Sequence, residues 1–310
     1  MAHVLEWNMR RFLFLIFALT AQCIRAQPPQ QGTNQGDRGG HTADLHLSCV
    51  GTGRPIVILE AGANRGAADW ARVQPAVGDL TQVCSYDRRP DHCCDDVIDD
   101  LRSLLRHAAL PGPYIFVGHS LGGLYVRRFA ARFPDEVAGL VLIDSADEKQ
   151  LTGIIAPGLK PDLYRPGVMS DSELQAFFGN LRERMAAAGA VPPSGNEKAS
   201  DDADSGEIRM ARFYRLIAAQ RRDFMFAGKP LIVLTATQAA PLPRFSEEQR
   251  AELEEDHRAL QAGMRLLSKN SKQILVPNSG HYVQLDRPDF VITAIREVVT
   301  AVRSTGRLVQ

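Results

Sequence analysis

Short apolar runs recur along the chain at intervals, and they limit the folds open to it. They read LHLSCV (45–50), PIVILEAG (55–62), QVCSYD (82–87), YIFVGHS (114–120), AGLVLIDS (138–145), PLIVLTAT (230–237) and KQILVPNS (272–279). The first alternates like a half-buried strand; the others are nearly continuous and rich in Val, Ile and Leu. Continuous runs of this length suit strands buried on both faces of a parallel sheet. Parallel strands need long crossovers, and helical spacing fills the gaps. Val97, Leu101, Leu104, Leu105 and Ala108 share one face behind Asp95 and Asp96, whose charges favour a helix start. Ser246 and Gln249 have capping-box spacing ahead of Leu253, Leu260, Met264 and Leu267. Pro288 opens a last helix with Val291, Ile295, Val298 and Val302 facing inward. This alternation predicts an α/β fold with a parallel, helix-flanked sheet.

One region breaks the pattern. Residues 147–228 carry two helical pieces, DSELQAFFGNLRERMAAAGA and EIRMARFYRLIAAQRRDF, and no strand run. A polar loop separates the pieces. The stretch is too long for a simple connection, so it is read as a helical cap inserted into a core formed by 43–146 and 229–310. At the N-terminus, Arg10 and Arg11 precede FLFLIFALTA, an apolar run too short to span a bilayer. Residues 1–26 therefore read as a signal peptide with cleavage after Ala26, and 27–42 as a disordered leader. The alternative is an uncleaved membrane anchor.

The chain has 310 residues, 45% of them apolar, with 36 basic and 36 acidic side chains. That composition supports a sizeable core and excludes global disorder. The charge balance gives no footprint for nucleic acid or an anionic membrane, so the expected partner is a small molecule. Export would remove Cys23 and leave Cys49, Cys84, Cys93 and Cys94. These allow three pairings. An oxidising compartment favours at least one disulfide. Their spacing does not match a zinc site, and HCCD at 92–95 is only a weak metal pattern.

The chemistry concentrates at GHSLG, residues 118–122. A strand run precedes it and a helical pattern follows, with Ser120 at the junction. A sharp strand-to-helix turn there would leave no room for bulky neighbours two residues away, which accounts for Gly118 and Gly122. Ser120 is the candidate nucleophile. A serine needs a base, and His281 follows the last strand run in a turn opened by Gly280. The other histidines offer no rival: His119 belongs to the elbow, and His107 and His257 fall in helical patterns. The run at 138–145 ends in VLIDSADE, with Asp144, Asp147 and Glu148 as candidate orienting acids. The later run ends in TATQAAP, without an acid at its tip. Oxyanion donors are expected at the backbone N–H of Leu121 and, from the loop after IVILE, of Ala63, with Asn64 as the alternative.

Together these segments resemble the α/β-hydrolase fold superfamily over residues 43–303. LEAGANRGAADW resembles its oxyanion loop, VCSYDR its fourth strand and turn, VGHSLGGL its nucleophile elbow, and GHYVQLDRPDFV its histidine loop and final helix. The resemblance implies an eight-stranded, mostly parallel sheet with the cap inserted after the sixth strand, and hydrolysis without a metal or organic cofactor. It implies a Ser120–His281–Asp144 triad, with Asp147 as second choice for the acid. It also makes LHLSCV and QVCSYD sheet neighbours, so that Cys49 and Cys84 can pair and Cys93 and Cys94 stay as thiols. The rival pairing joins Cys84 to Cys93 or Cys94. RRPDHCCDD departs from the Gly-rich, Ser-containing loop usual in relatives. The function implied is hydrolysis of a small-to-medium carboxylic ester. Amide, lactone or carbon–carbon bond cleavage and acyl transfer would use the same triad. A reading of another class is a non-catalytic ligand binder that keeps the pocket.

Overall fold

The computed structural model describes residues 45–148, 206–238, 247–304 and 306–309. The expected signal segment 1–26, the leader 27–42, the first helical piece of the insertion and the capping residue Ser246 lie outside the described residues. The described chain divides into two compact units. One contains 88–97, 148 and 206–220; the other contains 45–87, 98–147 and the described residues from 221 onward.

The larger unit is built on one sheet. Its strands are β1 (Leu47–Val50), β2 (Val57–Glu60), β3 (Val83–Tyr86), β4 (Tyr114–His119), β5 (Val137–Ile143), β6 (Leu231–Ala236) and β7 (Ser271–Val276). They run in the order β1-β3-β2-β4-β5-β6-β7. All neighbours are parallel except β1 and β3, which are antiparallel. The expected count of eight strands becomes seven among the described residues. An eighth strand ahead of β1 would fall outside them. The insertion lies between the fifth and sixth described strands.

The continuous apolar runs became the interior strands because both of their faces are covered. Every residue of β2, β4 and β6 is buried. Alternation along the strand sends Val57, Leu59, Ile115 and Val117 to one face. There they meet Trp70 and the inner face of a long C-terminal helix, with Val291, Ile295 and Val298 fully buried. Phe116 points the other way, onto Phe129, at a ring separation of 4.6 Å. The edge strand β7 is less covered, and Leu275 is 55% exposed.

Among the described residues the α-helices are α1 (Gln74–Gly78), α2 (Asp95–His107), α3 (Leu121–Arg132), α4 (Gly206–Gln220), α5 (Glu247–Gly263), α6 (Val283–Asp286) and α7 (Pro288–Arg303). Pro288 occupies the first turn of α7, where its missing N–H costs nothing. In α2 the expected residues Val97, Leu101, Leu104 and Leu105 are buried, together with Ile98. Ala108 is exposed because the helix ends at His107 and the chain leaves the apolar face. In the smaller unit, α4 buries Met210, Phe213, Tyr214 and Ile217 at helical spacing, and Arg209 pairs with Asp96. Among the described residues no helix is long and apolar enough to cross a membrane.

β1 is the weakest element of the sheet. Its residues are half-buried or exposed, so hydrophobic burial does little to hold it. Two other attachments do. The Gln74 side-chain amide donates to the Ser48 carbonyl at 2.6 Å, and Cys49 sits directly opposite Cys84 in the register. The two cysteines form a disulfide with their Cα atoms 4.1 Å apart; Cys93 and Cys94 are buried thiols. The bond spans 35 residues, a loop whose closure restricts the unfolded chain by about 3–4 kcal/mol in the entropic model. Replacing both cysteines, Cys49→Ala with Cys84→Ala, is therefore expected to lower the free energy of unfolding by about that amount. Urea titration of the oxidised wild type and the double variant measures it; coincident curves would show that the bond restrains nothing.

Candidate active site

The site lies where β4, β5 and β6 end. β4 gives way to α3 at Ser120, whose backbone has φ 52° and ψ −122°. A side chain pays a steric penalty at positive φ, so surrounding bonds must hold it. The Ser120 N–H donates to the Ile143 carbonyl at 3.1 Å, and the Ser120 carbonyl accepts from Gly123 and Ala146 at 2.9 Å each. The turn is crowded from both sides. A Cβ at Gly118 would stand 2.7 Å from the Gly122 oxygen, and one at Gly122 would stand 2.5 Å from the carbonyl oxygens of Glu60 and Ala61. Those contacts account for the glycines around the serine.

The loop after β2 approaches the same point. Gly62 lies so close that an added Cβ would be 3.2 Å from the Ser120 Cβ. Ala63, the next residue, opens a turn continued by Asn64, which has φ 55°. Leu121 is the first residue of α3, where backbone N–H groups have no acceptor within the helix. The two expected oxyanion donors thus stand on segments that flank Ser120.

At the tip of β5, Asp144 is buried with φ 40°. Its N–H continues the ladder to the Leu234 carbonyl at 2.7 Å. Its carboxylate gathers donors from separate elements. The Ala236 N–H reaches Oδ1 at 3.1 Å, and His281 Nδ1 reaches Oδ2 at 2.7 Å. The third donor is His257 Nε2 from α5, 2.8 Å from Oδ1. Burial alone would push the carboxyl up, but the hydrogen bonds from His257 and His281 outweigh it and hold it well below the usual carboxylate range. Asp147, the second-choice acid, is fully buried and paired instead with Arg221 at 2.6 Å.

His119, beside the serine, anchors a buried polar chain. Its Nε2 lies 2.9 Å from the His281 carbonyl, which can only accept, so Nε2 carries the proton. Its Nδ1 is then an acceptor and receives the Gln284 amide at 3.2 Å. The same amide nitrogen reaches Asp69 at 3.3 Å, and Asp69 pairs with Arg65 on the loop after β2. The chain of contacts ties that loop to the histidine loop through the elbow. Burial, reinforced by the nearby His281, pushes His119 down to about 3.

Sequence reasoning singled out Ser120, His281, Asp144, Ala63 and Leu121, and all lie at this end of the sheet. His257, which falls in a helical pattern, and the chain through Gln284 and Asp69 are further members of the site that the sequence does not signal. DHRALQ carries no local signal that its histidine meets a strand tip. Among the described residues no group of acids, cysteines and histidines could hold a metal ion.

A family model described as the alpha/beta hydrolase family matches residues 56–294. Over 288 residues the chain is 23% identical to an AB hydrolase superfamily protein of Gibberella zeae, a match covering 81% of this chain and 88% of that one. Over 174 residues it is 28% identical to a pimeloyl-acyl-carrier-protein methyl ester esterase of Shewanella woodyi, covering 52% of this chain and 61% of the relative. A solved structure described as a probable hydrolytic enzyme of Pseudomonas aeruginosa aligns with a TM-score of 0.51 at 19% identity. That alignment covers 82% of this chain and 89% of the other, a likeness of fold alone.

His119 makes stability depend on pH. The unfolded chain takes up a proton near the ordinary value of 6.5, whereas the folded chain waits until about 3. Between those values the unfolded state holds more protons, so stability falls as pH drops through the window. His119→Gln keeps an amide donor for the His281 carbonyl and cannot titrate. Its urea midpoint is expected to fall less steeply than that of the wild type between pH 6.5 and 4.5, values inside the window set by the two pKa values. Parallel slopes would show that His119 is not held neutral.

Proposed function

Because the chain belongs to the alpha/beta hydrolase family, we propose that this hydrolase cleaves a small-to-medium carboxylic ester through Ser120, His281 and Asp144. The observation that carries the reading is the 2.7 Å contact between His281 Nδ1 and the buried Asp144 carboxylate, at the strand tip next to the strained elbow. A carboxylate accepts only, so His281 presents its proton at Nδ1 and keeps Nε2 vacant. Nε2 is then the atom that takes the Ser120 proton as Oγ attacks the ester carbonyl. The carbonyl oxygen gains negative charge, which the N–H groups of Leu121 and Ala63 would receive. His281 next returns the proton to the leaving alcohol, and an acyl group remains on Ser120. Water, deprotonated by the same Nε2, attacks that acyl group; His281 then returns the proton to Ser120 Oγ as the acid leaves. Asp144 stays ionised and stabilises the imidazolium that forms twice in the cycle.

The methyl ester esterase relative, which shares 28% identity over about half of this chain, supports a carboxylic ester as the substrate class. The Cys49–Cys84 bond and the apolar stretch behind Arg10 and Arg11 support export of the chain, with cleavage after Ala26. The partner in this reading is a small molecule.

Ser120→Ala is expected to abolish labelling by a fluorophosphonate and to lower turnover of nitrophenyl esters by about six orders of magnitude. Asp144→Asn should also lower turnover steeply while leaving labelling detectable, because the imidazole loses its orienting charge. Labelling that survives in Ser120→Ala would move the nucleophile elsewhere.

A further inference from the structure

Asp144 has two imidazoles on its carboxylate, and the mechanism above uses one. His257 stands on α5 and donates from Nε2 to Oδ1 at 2.8 Å; His281 donates from Nδ1 to Oδ2 at 2.7 Å. Both contacts require a proton on the inner nitrogen, because the carboxylate only accepts. With both rings neutral, the cluster carries one negative charge. A first added proton must go to an outer nitrogen, either Nδ1 of His257 or Nε2 of His281. A second would place two cations on either side of one buried carboxylate, and like charges in close company do not ionise independently.

We propose that His257 is a positioning residue that shares the Asp144 carboxylate with His281, so that the cluster takes up protons one at a time and a proton on His257 keeps His281 Nε2 vacant. The inference rests on the triad reading for its catalytic meaning, but its geometry stands apart from it. His257 is placed firmly. One turn further along α5, Gln261 donates to the Ser145 carbonyl at 2.7 Å, which pins the helix against the tip of β5. At the end of the helix Arg221 donates to the Gly263 carbonyl at 3.0 Å while paired with Asp147. The charged groups that act on His257 are Asp144 from β5, with His281 beyond it, and Arg258 from its own helix. Burial and Arg258 disfavour its charge, but Asp144 outweighs them and raises its affinity for a proton. Its side chain is 29% exposed, so protons can exchange with solvent.

The consequence is directional. Each time Ser120 gives up its proton, His281 becomes a cation and draws on the charge of Asp144. Protonating His257 first commits part of that charge elsewhere and makes the outer nitrogen of His281 harder to protonate from solvent. A variant without a titratable group at 257 would lose this protection, and His281 would be protonated at higher pH.

NMR titration of the two imidazoles tests this without relying on activity. His257→Gln places an amide N–H near the position of Nε2 and cannot titrate. In the wild type, His281 is expected to titrate in two coupled steps. In His257→Gln it should titrate in one step, at higher pH. The acid limb of kcat/KM on a nitrophenyl ester should move to higher pH in the same variant. An unchanged or lowered His281 midpoint overturns the proposal, as does a simple one-step His281 curve in the wild type, which needs no variant to fold. Ser120→Ala carried through the same titration separates the two readings. Hydrolysis that persists in Ser120→Ala removes the triad but leaves the shared carboxylate standing, whereas independent titration of the imidazoles with a Ser120-dependent rate removes only the role of His257.

Discussion

The hydrogen bond from the Ser120 N–H to the Ile143 carbonyl governs the geometry of this molecule. It carries the ladder between β4 and β5 one residue past the end of β4, into a backbone conformation that the serine would not adopt alone. The next rung, from the Asp144 N–H to Leu234, extends β5 against β6 in the same way. The serine and the carboxylate therefore sit on neighbouring strand tips as a result of sheet registry. The apolar layers beneath make that registry firm: sliding β4 by one residue would send Ile115 and Val117 to the face packed on Phe129 and Phe116 to the face packed on Trp70 and α7, so that neither layer would fit.

What registry cannot supply is the third element. His281 comes from a loop after β7, two strands beyond β5 in the sheet. Its position depends on polar contacts: the carbonyl held by His119, and the ring held by Asp144. Because His119 must be neutral to donate from one nitrogen and accept at the other, the elbow works with a buried polar group that is fully engaged yet uncharged. A charged group in its place would add a field beside the base and the serine.

The strands were legible in the sequence because continuous Val, Ile and Leu runs report burial on both faces, and each described strand falls within one residue of such a run or inside it. The elbow was legible because its glycines answer to steric contacts within a few residues of Ser120. Asp144 was harder to identify, since VLIDSADE offers three acids within five residues; the backbone separates them by sending Asp144 to the histidine and Asp147 to Arg221. His257 was not legible. It belongs to a helix whose spacing accounts for it as a surface residue, and only the packing of α5 on the β5 tip, through Gln261 and Ser145, brings it to the carboxylate. Ala108 was misread for a local reason, because helical periodicity does not show where the helix stops.

The disulfide between β1 and β3 has a meaning beyond stability. β1 offers its own strand little apolar grip, so several alignments against β3 would satisfy similar numbers of backbone bonds. Cys49 and Cys84 face one another in only one of them. A slip by a single residue would turn Cys49 to the opposite side of the sheet, out of reach of Cys84. The bond thus acts as a covalent key, since it can close only after the edge has found its alignment, and once closed it forbids all others.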